Sequence, residues 1–484
     1  MPFMFAGYPA PFIFDTPGGT KTQQLIWGDF VSLFDEDDGE WTKVRSRRTT
    51  GWMKKADLQA ERLLEVNFVD IGQGDGAFIV TPDDTFLLVD AGESDNMLRF
   101  LSWRFSLRSH PDRVIAIRAA VISHSDQDHY KGFAGLFKSP QFRFDAVYHN
   151  GLVERAGSPL LGPRVAHNGE QYLTEVIATH AALAQLLADP QKVGNRQYPN
   201  MLKGALDSGR ITEMRGVAAA DGHLPGFDAG RPFRIEALAP VPETVNGAPA
   251  LRWFGDDGRT KNGHSIVLRL VYGNVSMLLG GDLNIPSEKY LLGHYTGADP
   301  DDASAADALV TAARATFQSD VAKACHHGSA DFTDLFLRAV NAIATVVSSG
   351  DDEPHAHPRP DALGAIGRFG RGSRPLIFST ELARSAAENI KNPHELRQRI
   401  RALIDAREAA TSEAKRAAAQ KKLDAALDSL ERSVAVYGLI NLRTDGTKIL
   451  LAQKLERRRP NKDEWDVHRL EPDRSGALRY VPKH

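Results

Sequence analysis

The chain has 484 residues, enough for about three domains of common size or for one large domain with attachments. Hydrophobic residues make up 42 % and charged residues 25 %, which is typical of globular proteins and excludes disordered, collagen-like and disulfide-scaffold classes. The formal net charge of −3 excludes the global basic excess of a nucleic-acid coat protein. Cys325 is the single cysteine, so any metal site must use His and carboxylates.

The N-terminal segment MPFMFAGYPAPFIFD differs from a signal peptide. No Lys or Arg precedes its apolar residues, and Pro2, Pro9 and Pro11 interrupt them. Elsewhere, no apolar run approaches the ~20 residues that a bilayer-spanning helix needs. We therefore expect a soluble, cytoplasmic protein without a membrane partner.

The segment from about residue 22 to 57 predicts a small β unit. Short alternating strands, WGDFVSLF, GEWTKVR and TGWMKKADL, surround an acidic, Gly-containing turn. This pattern resembles a bacterial SH3-like domain, which we assign to residues 1–60 together with an N-terminal arm. Its Trp27, Trp41 and Trp52 form either the core of this β unit or a peptide-binding groove.

From Leu63 onward, the sequence predicts a layered α/β domain. The apolar runs LLEVNFVDIG, AFIVTP and TFLLVDAG read as buried strands, followed by a helix at about 95–107, a strand at 117–123 and a helix near 132–138. After mixed helices and short strands in residues 150–230, HSIVLRLVYG and VSMLLGGD predict a hairpin. Strands that alternate with helices are typical of a sheet covered by helices.

Residues 392–433 predict a helical excursion from this pattern. They are rich in Ala, Glu, Arg and Lys, with Leu residues at helical spacing. Strand-like residues return directly afterwards in VYGLINL and TKILLA, so we expect a two-helix hairpin that turns near Thr411 and Ser412. The tail from about residue 457 is charged and shows no clear element.

The motif SHSDQDHYKG predicts a metal site. His124, Asp126, Asp128 and His129 lie within one loop that directly follows a buried strand. A strand end supplies rigidity, and the loop can turn several side chains toward one point. The alternative, a polar loop that only faces water, is disfavoured because similar residues recur downstream.

Those residues end other apolar strands. Asp90 ends LLVDAG, Asp282 ends LLGGD, and His326 and His327 follow AKAC. Each is a weak signal by itself, since an Asp after a strand is often a turn residue. Because strand ends meet at one edge of a sheet, together they predict one site.

Taken in order, these motifs resemble the metallo-β-lactamase fold, and specifically the metallohydrolase domain of the DNA-uptake competence protein ComEC. The resemblance covers residues 63–380, through FVDIGQGDGAFI, LLVDAG, SHSDQDH, LLGGD, CHHGS and HPRPDAL, and also VYGLINLRTDG at 436–446. It implies an αββα sandwich in residues 61–391, with the helical hairpin of 392–433 inserted before the last strands and tail in 434–484.

The resemblance also implies two divalent metal ions, zinc or manganese. The first-metal ligands are His124 and Asp126. The remaining implied ligands are Asp128 and His129 for the second metal, the bridging Asp282, and one of His326 and His327. Asp90 would support this set, and His264 is either a further ligand or an exposed turn residue.

The implied chemistry is attack by a metal-activated water on a phosphorus or carbonyl centre. Asp128, His327 and His357 are the expected catalytic residues. The spare member of the His326 and His327 pair, His355 or His357 would protonate the leaving oxygen or bind phosphate. The expected substrate-binding residues are Gln73, Asp75, Asn262, Ser265 and Ser329. Asp75 could equally cap a tight turn.

We therefore expect a metal-dependent phosphodiesterase, and first a nuclease that acts on DNA. Basic clusters at Lys43–Lys55 and Lys454–Lys462 would contact DNA phosphates, or they are ordinary solvated surfaces. One alternative is a hydrolase of a small phosphodiester such as a phosphocholine ester or a cyclic nucleotide. Another is a protein with a vestigial metal site that binds partners through its SH3-like unit or helical hairpin.

Overall fold

A computed structural model describes residues 2–350, 355–383 and 393–483. The predicted start of the helical excursion, residue 392, lies outside the described residues. In the described part of the chain, no helix is both long and apolar enough to cross a lipid bilayer.

The N-terminal part of the chain forms a curled, antiparallel seven-stranded sheet. Its strands are Phe3–Ala6, Phe12–Phe14, Lys21–Gln24, Phe30–Asp38, Trp41–Ser46, Thr49–Lys54 and Leu58–Gln59. Alternating residues such as Val31 and Val44 point into a small apolar core, as period-two patterning requires. Trp27 is buried, and its indole N–H donates to Gln59 at 2.7 Å, which indicates a packing role for this aromatic.

A ten-stranded mixed sheet forms the first large layer. In sheet order, its strands are Ile211–Gly216, Phe142–His149, Ile115–Ile122, Phe86–Ala91, Gly76–Val80, Leu64–Phe68, Ile440–Thr444, Ile449–Lys454, Trp465–Pro472 and Leu478–Val481. The first four are parallel, and the rest are antiparallel. Their near-continuous apolar runs reflect burial on both faces.

A six-stranded sheet forms the second large layer. In sheet order, its strands are Phe233–Ala239, Val267–Tyr272, Val275–Leu279, Val321–Lys323, Ala344–Val347 and Leu376–Ser379. Its inner face shares one apolar core with the ten-stranded sheet, where Val66 and Val121 belong to the same cluster as Leu268 and Met277. The two sheets therefore pack face to face.

Helices cover the outer faces of both sheets. The helices on the ten-stranded sheet are Asn96–Arg104, Phe133–Lys138, His180–Leu187 and Gln197–Asp207. Those on the six-stranded sheet are Ile285–Thr296, Ala306–Phe317, Asp334–Val340 and Pro360–Phe369. Short helices are Gln127–Tyr130, Pro190–Val193 and Asp257–Gly263. The result is the expected four-layer αββα arrangement.

A helical hairpin and a small sheet add to the two large layers. The helices Pro393–Glu408 and Glu413–Arg432 break around Thr411 and Ser412, where the hairpin turn was predicted. A small sheet, which the sequence did not reveal, contains the strands Arg164–His167, Glu170–Leu173, Glu243–Val245 and Ala248–Arg252.

The tail corrects one prediction, because it adds two antiparallel strands to the ten-stranded sheet where no clear element was expected. The second of these strands lies at the sheet edge, whereas the first pairs on both sides, is mostly half-buried and carries Asp466, His468 and Arg469. Such charged residues hide the apolar alternation that would reveal a strand.

Candidate metal centre

The predicted ligands meet at one edge of the sandwich, where strands of both large sheets end. Asp90 is the penultimate residue of the strand Phe86–Ala91, and the SHSDQDH loop follows the neighbouring strand Ile115–Ile122. From the other sheet, Asp282 follows Val275–Leu279, and the two consecutive histidines follow Val321–Lys323. The strand ends therefore bring residues distant in sequence to one point.

Four side chains, His129, His327, Asp128 and Asp282, form what we call the His/Asp cluster. The Asp282 carboxylate lies 3.3 Å from His129 Nε2 and 3.2 Å from His327 Nε2. Asp128 lies 3.4 Å from His327 Nε2 and 3.9 Å from His129 Nε2. Ligand atoms about 2.1 Å from a tetrahedral ion lie about 3.4 Å apart. The distances from Asp282 to the two imidazoles therefore suit one divalent ion, and one ligand atom each from Asp75, His129, Asp282 and His327 lies within 4.8 Å of the others.

Three atoms of the His/Asp cluster lack hydrogen-bond partners among the described residues. They are His129 Nε2, His327 Nε2 and Asp282 Oδ1, and all three are buried. A buried polar atom without a partner is costly, and native structures rarely leave several of them side by side. A metal ion at their meeting point would satisfy all three, so the residues present fit a metal ion.

Asp90 orients His129. Its carboxylate lies 2.9 Å from His129 Nδ1 and accepts the Ser123 backbone N–H at 2.8 Å. Asp90 adopts a left-handed backbone conformation with φ 56°, which is uncommon for a residue other than glycine. Such partners fix the ring orientation of metal-binding histidines, so Asp90 supports the cluster as expected.

Left-handed backbone conformations also set the directions of the two consecutive histidines. His326 has φ 48° and His327 has φ 53°. His327 is buried, and its Nδ1 lies 3.1 Å from both the Ser348 carbonyl and Asp75 Oδ1, which leaves Nε2 for the cluster. The structure therefore places His327 in the His/Asp cluster.

His326 lies at the open side of the cluster. Its Nε2 is 3.9 Å from Asp282 Oδ2, and its side chain is 24 % exposed. The His357 ring lies 5.5 Å from the His326 ring, and the exposed His355 stacks beside His357 at 5.8 Å. These imidazoles line the approach to the cluster.

The residues expected to bind the first metal, His124 and Asp126, lie outside the His/Asp cluster and contact other protein groups. His124 Nδ1 lies 3.1 Å from the Ser123 hydroxyl and 3.2 Å from the Ser265 hydroxyl, and its Nε2 is 3.7 Å from Asp126. Asp126 also contacts the Lys261 ammonium. His264 has a different partner, because its Nε2 donates to the Arg252 carbonyl at 2.7 Å.

Electrostatics favour charged groups within the cluster. Burial lowers the pKa of His129 and His327, but neighbouring carboxylates, first Asp282, raise each pKa by more, to well above its ordinary value. Burial opposes ionisation of Asp282 as well, yet the facing imidazoles hold its pKa well below the usual range. The cluster without metal therefore carries protons on its imidazoles, which a metal ion would have to replace.

Two residues predicted to bind substrate, Asp75 and Ser265, contact ligand residues, and their role toward substrate stays a prediction. Asp75 is buried, contacts both His327 and the Lys323 ammonium, and forms with His129, Asp282 and His327 a group of ligand atoms close enough to hold one ion. Ser265 is fully buried, and its hydroxyl accepts the Asp282 backbone N–H at 3.0 Å. Neither side chain presents a free surface to substrate.

The other expected substrate-binding residues divide differently. Gln73 and Ser329 are half-buried, and their roles stay predictions. The Asn262 amide, in the orientation that satisfies its surroundings, donates to Asp126 at 2.8 Å. Cys325 is partly buried against apolar neighbours.

Sequence reasoning missed two lysines at the site. Lys323 is buried with its ammonium against Asp75 and 3.6 Å from Asp282, and Lys261 pairs with Asp126 and Glu154. The sequence could have predicted a role for Lys323, because a charged residue in the apolar run before two histidines needs a buried partner of opposite charge. Lys261 carried no comparable signal.

One comparison with known proteins, the match to a family model, identifies the family of the chain. The model of the metallo-beta-lactamase superfamily matches residues 71–328, just over half of the chain. No curated protein matches the chain. Among solved structures, it is similar to MEM-A1, a subclass B3 metallo-beta-lactamase isolated from a soil metagenome library. That match has 14 % sequence identity and a TM-score of 0.23, and it covers 52 % of this chain and 84 % of that chain. The chain therefore belongs to the metallo-beta-lactamase superfamily, as a hydrolase with a candidate site for a divalent metal ion.

Proposed function

We propose that the protein is a metal-dependent phosphodiesterase related to the metallohydrolase domain of ComEC. The observation that carries the proposal is the His/Asp cluster, whose unpartnered buried atoms converge beside the partly exposed His326 and His357. The motifs shared with the ComEC domain support a phosphodiester substrate. The resemblance implies two ions, zinc or manganese, and the cluster accounts for one of them.

A divalent ion held by His129, His327, Asp128 and Asp282 would activate water and neutralise charge on phosphoryl oxygens. The protein's own groups supply the rest. Asp90, Asp75 and Ser265 hold ligands or their backbone in place. His326 and His357 lie where they can bind a phosphate oxygen or protonate the leaving oxygen.

DNA is the first substrate in this proposal, and a small phosphodiester is the second. One observation favours the second, namely that acidic partners neutralise much of both basic clusters. In the first cluster, Lys43 pairs with Glu36 at 2.7 Å and Lys55 with Asp37 at 2.9 Å. In the second, Lys454 pairs with Glu464 and Arg459 with Asp466 at 2.7 Å. These cations are less available to phosphates than the sequence suggested.

The test is hydrolysis by purified protein loaded with manganese or zinc. Substrates are single- and double-stranded DNA and bis-p-nitrophenyl phosphate. We expect Asp128→Ala and His129→Ala to lower turnover by more than the roughly 10–100-fold that loss of a supporting residue costs. Lys203→Ala, which removes only an exposed ion pair with Asp207, should leave turnover unchanged.

Each outcome discriminates between the candidates. Turnover of the small ester without cleavage of either DNA would favour the small-phosphodiester function. Absence of metal-dependent turnover on all three substrates would refute the phosphodiesterase and favour the partner-binding role of the SH3-like unit or helical hairpin.

A further inference from the structure

A lysine ammonium contacts Asp126, one of the two residues that the resemblance assigns to the first metal ion. Lys261 Nζ contacts Asp126 Oδ1 and lies 3.2 Å from Glu154 Oε1. The Lys261 side chain is only 12 % exposed, so this ion pair is largely shielded from water. The short helix Asp257–Gly263, which Asp256 caps through the Arg259 backbone N–H, delivers the lysine to this point.

The Asp126 carboxylate is already satisfied by protein groups. One oxygen contacts the Lys261 ammonium, and the other accepts the Asn262 amide at 2.8 Å. Asn262 also donates to the Gly258 carbonyl at 3.2 Å, which fixes its orientation. A carboxylate with both oxygens engaged has little to gain from a metal ion.

The other groups near this position do not complete a metal site. His124 Nε2 is buried, lacks a hydrogen-bond partner and lies 3.7 Å from Asp126, so it is one atom that could bind an ion here. His264 is committed to the Arg252 carbonyl. Within residues 2–350, 355–383 and 393–483, the one group of His and carboxylate atoms close enough to share an ion consists of Asp75, His129, Asp282 and His327, so it contains neither His124 nor Asp126. The first position therefore lacks the three protein ligands that a stable site needs.

We propose that the Lys261 ammonium takes the place of the first metal ion and that the protein holds a single resident divalent ion, in the His/Asp cluster. A divalent ion next to Asp126 would face the ammonium at close range, and like charges repel strongly in a shielded site. The ammonium instead supplies a fixed positive charge beside the cluster, suited to an anionic oxygen of the substrate. The role of the Lys261 ammonium toward substrate rests on the proposed phosphodiesterase function. The number of bound ions does not depend on that function.

The test counts metal ions per chain. Purified protein is loaded with manganese or zinc, freed of excess metal, and measured by inductively coupled plasma mass spectrometry. We expect one ion per chain in the natural protein, and an isolated-ion electron paramagnetic resonance spectrum with manganese. Two ions per chain, or the spectrum of a magnetically coupled pair, would overturn the proposal.

Substitutions identify which position holds the ion. His129→Ala should remove the ion, whereas His124→Ala should retain it; the reverse result would place the ion at the first position and overturn the proposal. Lys261→His removes the ammonium and adds a ligand, so we expect the count to rise from one to two. Lys261→Ala, which frees Asp126 without adding a ligand, should bind a second ion more weakly in a calorimetric titration.

The control is Lys203→His, which places an imidazole on an exposed helix and should leave the count at one. If the natural protein holds one ion and neither Lys261 variant binds a second, Lys261 is not the cause, and its assignment fails. A protein that holds one ion but cleaves no phosphodiester would keep this inference and overturn the proposed function, so the two failures are distinguishable.

Discussion

Asp90 illustrates how a single residue prepares the metal centre. Its carboxylate holds both the His129 ring and the Ser123 backbone, and the strand places it there in a left-handed conformation. The residue touches no substrate in the proposed function. Its role is to fix the direction of one ligand before the metal binds, which removes an entropic cost of binding.

Replacing Asp90 should therefore weaken metal binding. We expect Asp90→Ala to reduce metal affinity by roughly 10–100-fold, because His129 loses its Nδ1 partner. Asp90→Asn, which retains an acceptor oxygen, should have a smaller effect. Metal affinity is measured by competition with a chromophoric chelator. Glu93→Ala, which removes an exposed ion pair with Lys131, is the matched control, and an equal loss in that variant would contradict this role.

At the scale of elements, the loop between the strands Leu64–Phe68 and Gly76–Val80 packs directly against the SHSDQDH loop, which carries Asp128 and His129. Gly74 has φ 103°, and a Cβ atom there would lie 1.7 Å from the Asp128 carbonyl oxygen. The Asp75 backbone N–H donates to the same carbonyl at 3.2 Å, and Ser348 donates to the Gly74 carbonyl at 2.8 Å. The two loops can approach this closely only because residue 74 lacks a side chain.

Gly74→Ala should therefore displace the SHSDQDH loop. The left-handed backbone alone costs about 1–3 kcal/mol, and the clash with Asp128 adds to it. We expect lower stability in urea denaturation together with lost metal affinity. Gly157→Ala is the control, because Gly157 also has positive φ, at 75°, but open space around it. If both variants lose the same stability and keep metal affinity, close packing of the loops is not the reason for Gly74.

At the scale of the whole molecule, the buried Glu65 joins distant parts of the chain. It pairs with Arg443 directly across the sheet, and with Arg104 at 2.9 Å at the end of a covering helix. Arg443 also reaches Asp29 of the N-terminal sheet at 3.6 Å. One carboxylate thus connects the first strand of the catalytic domain, a strand beyond the helical hairpin, and the N-terminal sheet.

Removing this carboxylate should destabilise the protein strongly. Glu65→Ala leaves Arg443 buried without its main partner, and we expect a loss of about 3–5 kcal/mol in urea denaturation at neutral pH. Asp207→Ala breaks an exposed pair and should cost less than about 1 kcal/mol. Comparable losses in the two variants would show that Glu65 does not join the molecule as described.

The same group predicts an acid dependence of stability. Burial opposes ionisation of Glu65, but Arg104 and Arg443 lower its pKa to about 2 from an ordinary 4.5. The folded protein therefore binds fewer protons than the unfolded chain in this range, so its stabilisation is present above pH 4.5 and is lost as pH falls toward about 2. The natural protein should lose more stability over this window than Glu65→Gln does, and parallel losses would exclude this linkage.

The sequence by itself determined the α/β layers, the strand-end motifs and the residues from which a metal site could be built. This was possible because each signal is local: an apolar run predicts a strand, and a His or Asp directly after it predicts a position at the sheet edge. The helical hairpin was predicted for the same reason, through its helical spacing and the turn around Thr411 and Ser412.

Only the tertiary structure decided which of the candidate residues belong to the His/Asp cluster and which lie beside it. It placed His327 in the His/Asp cluster and His326 at its open side, because two left-handed residues rotate adjacent side chains in different directions. It brought Asp75 against His327 and Ser265 against the Asp282 backbone, added the charged tail strands to the sheet, and brought Lys261 to Asp126. These outcomes depend on contacts between segments far apart in sequence, and local patterns carry no information about such contacts.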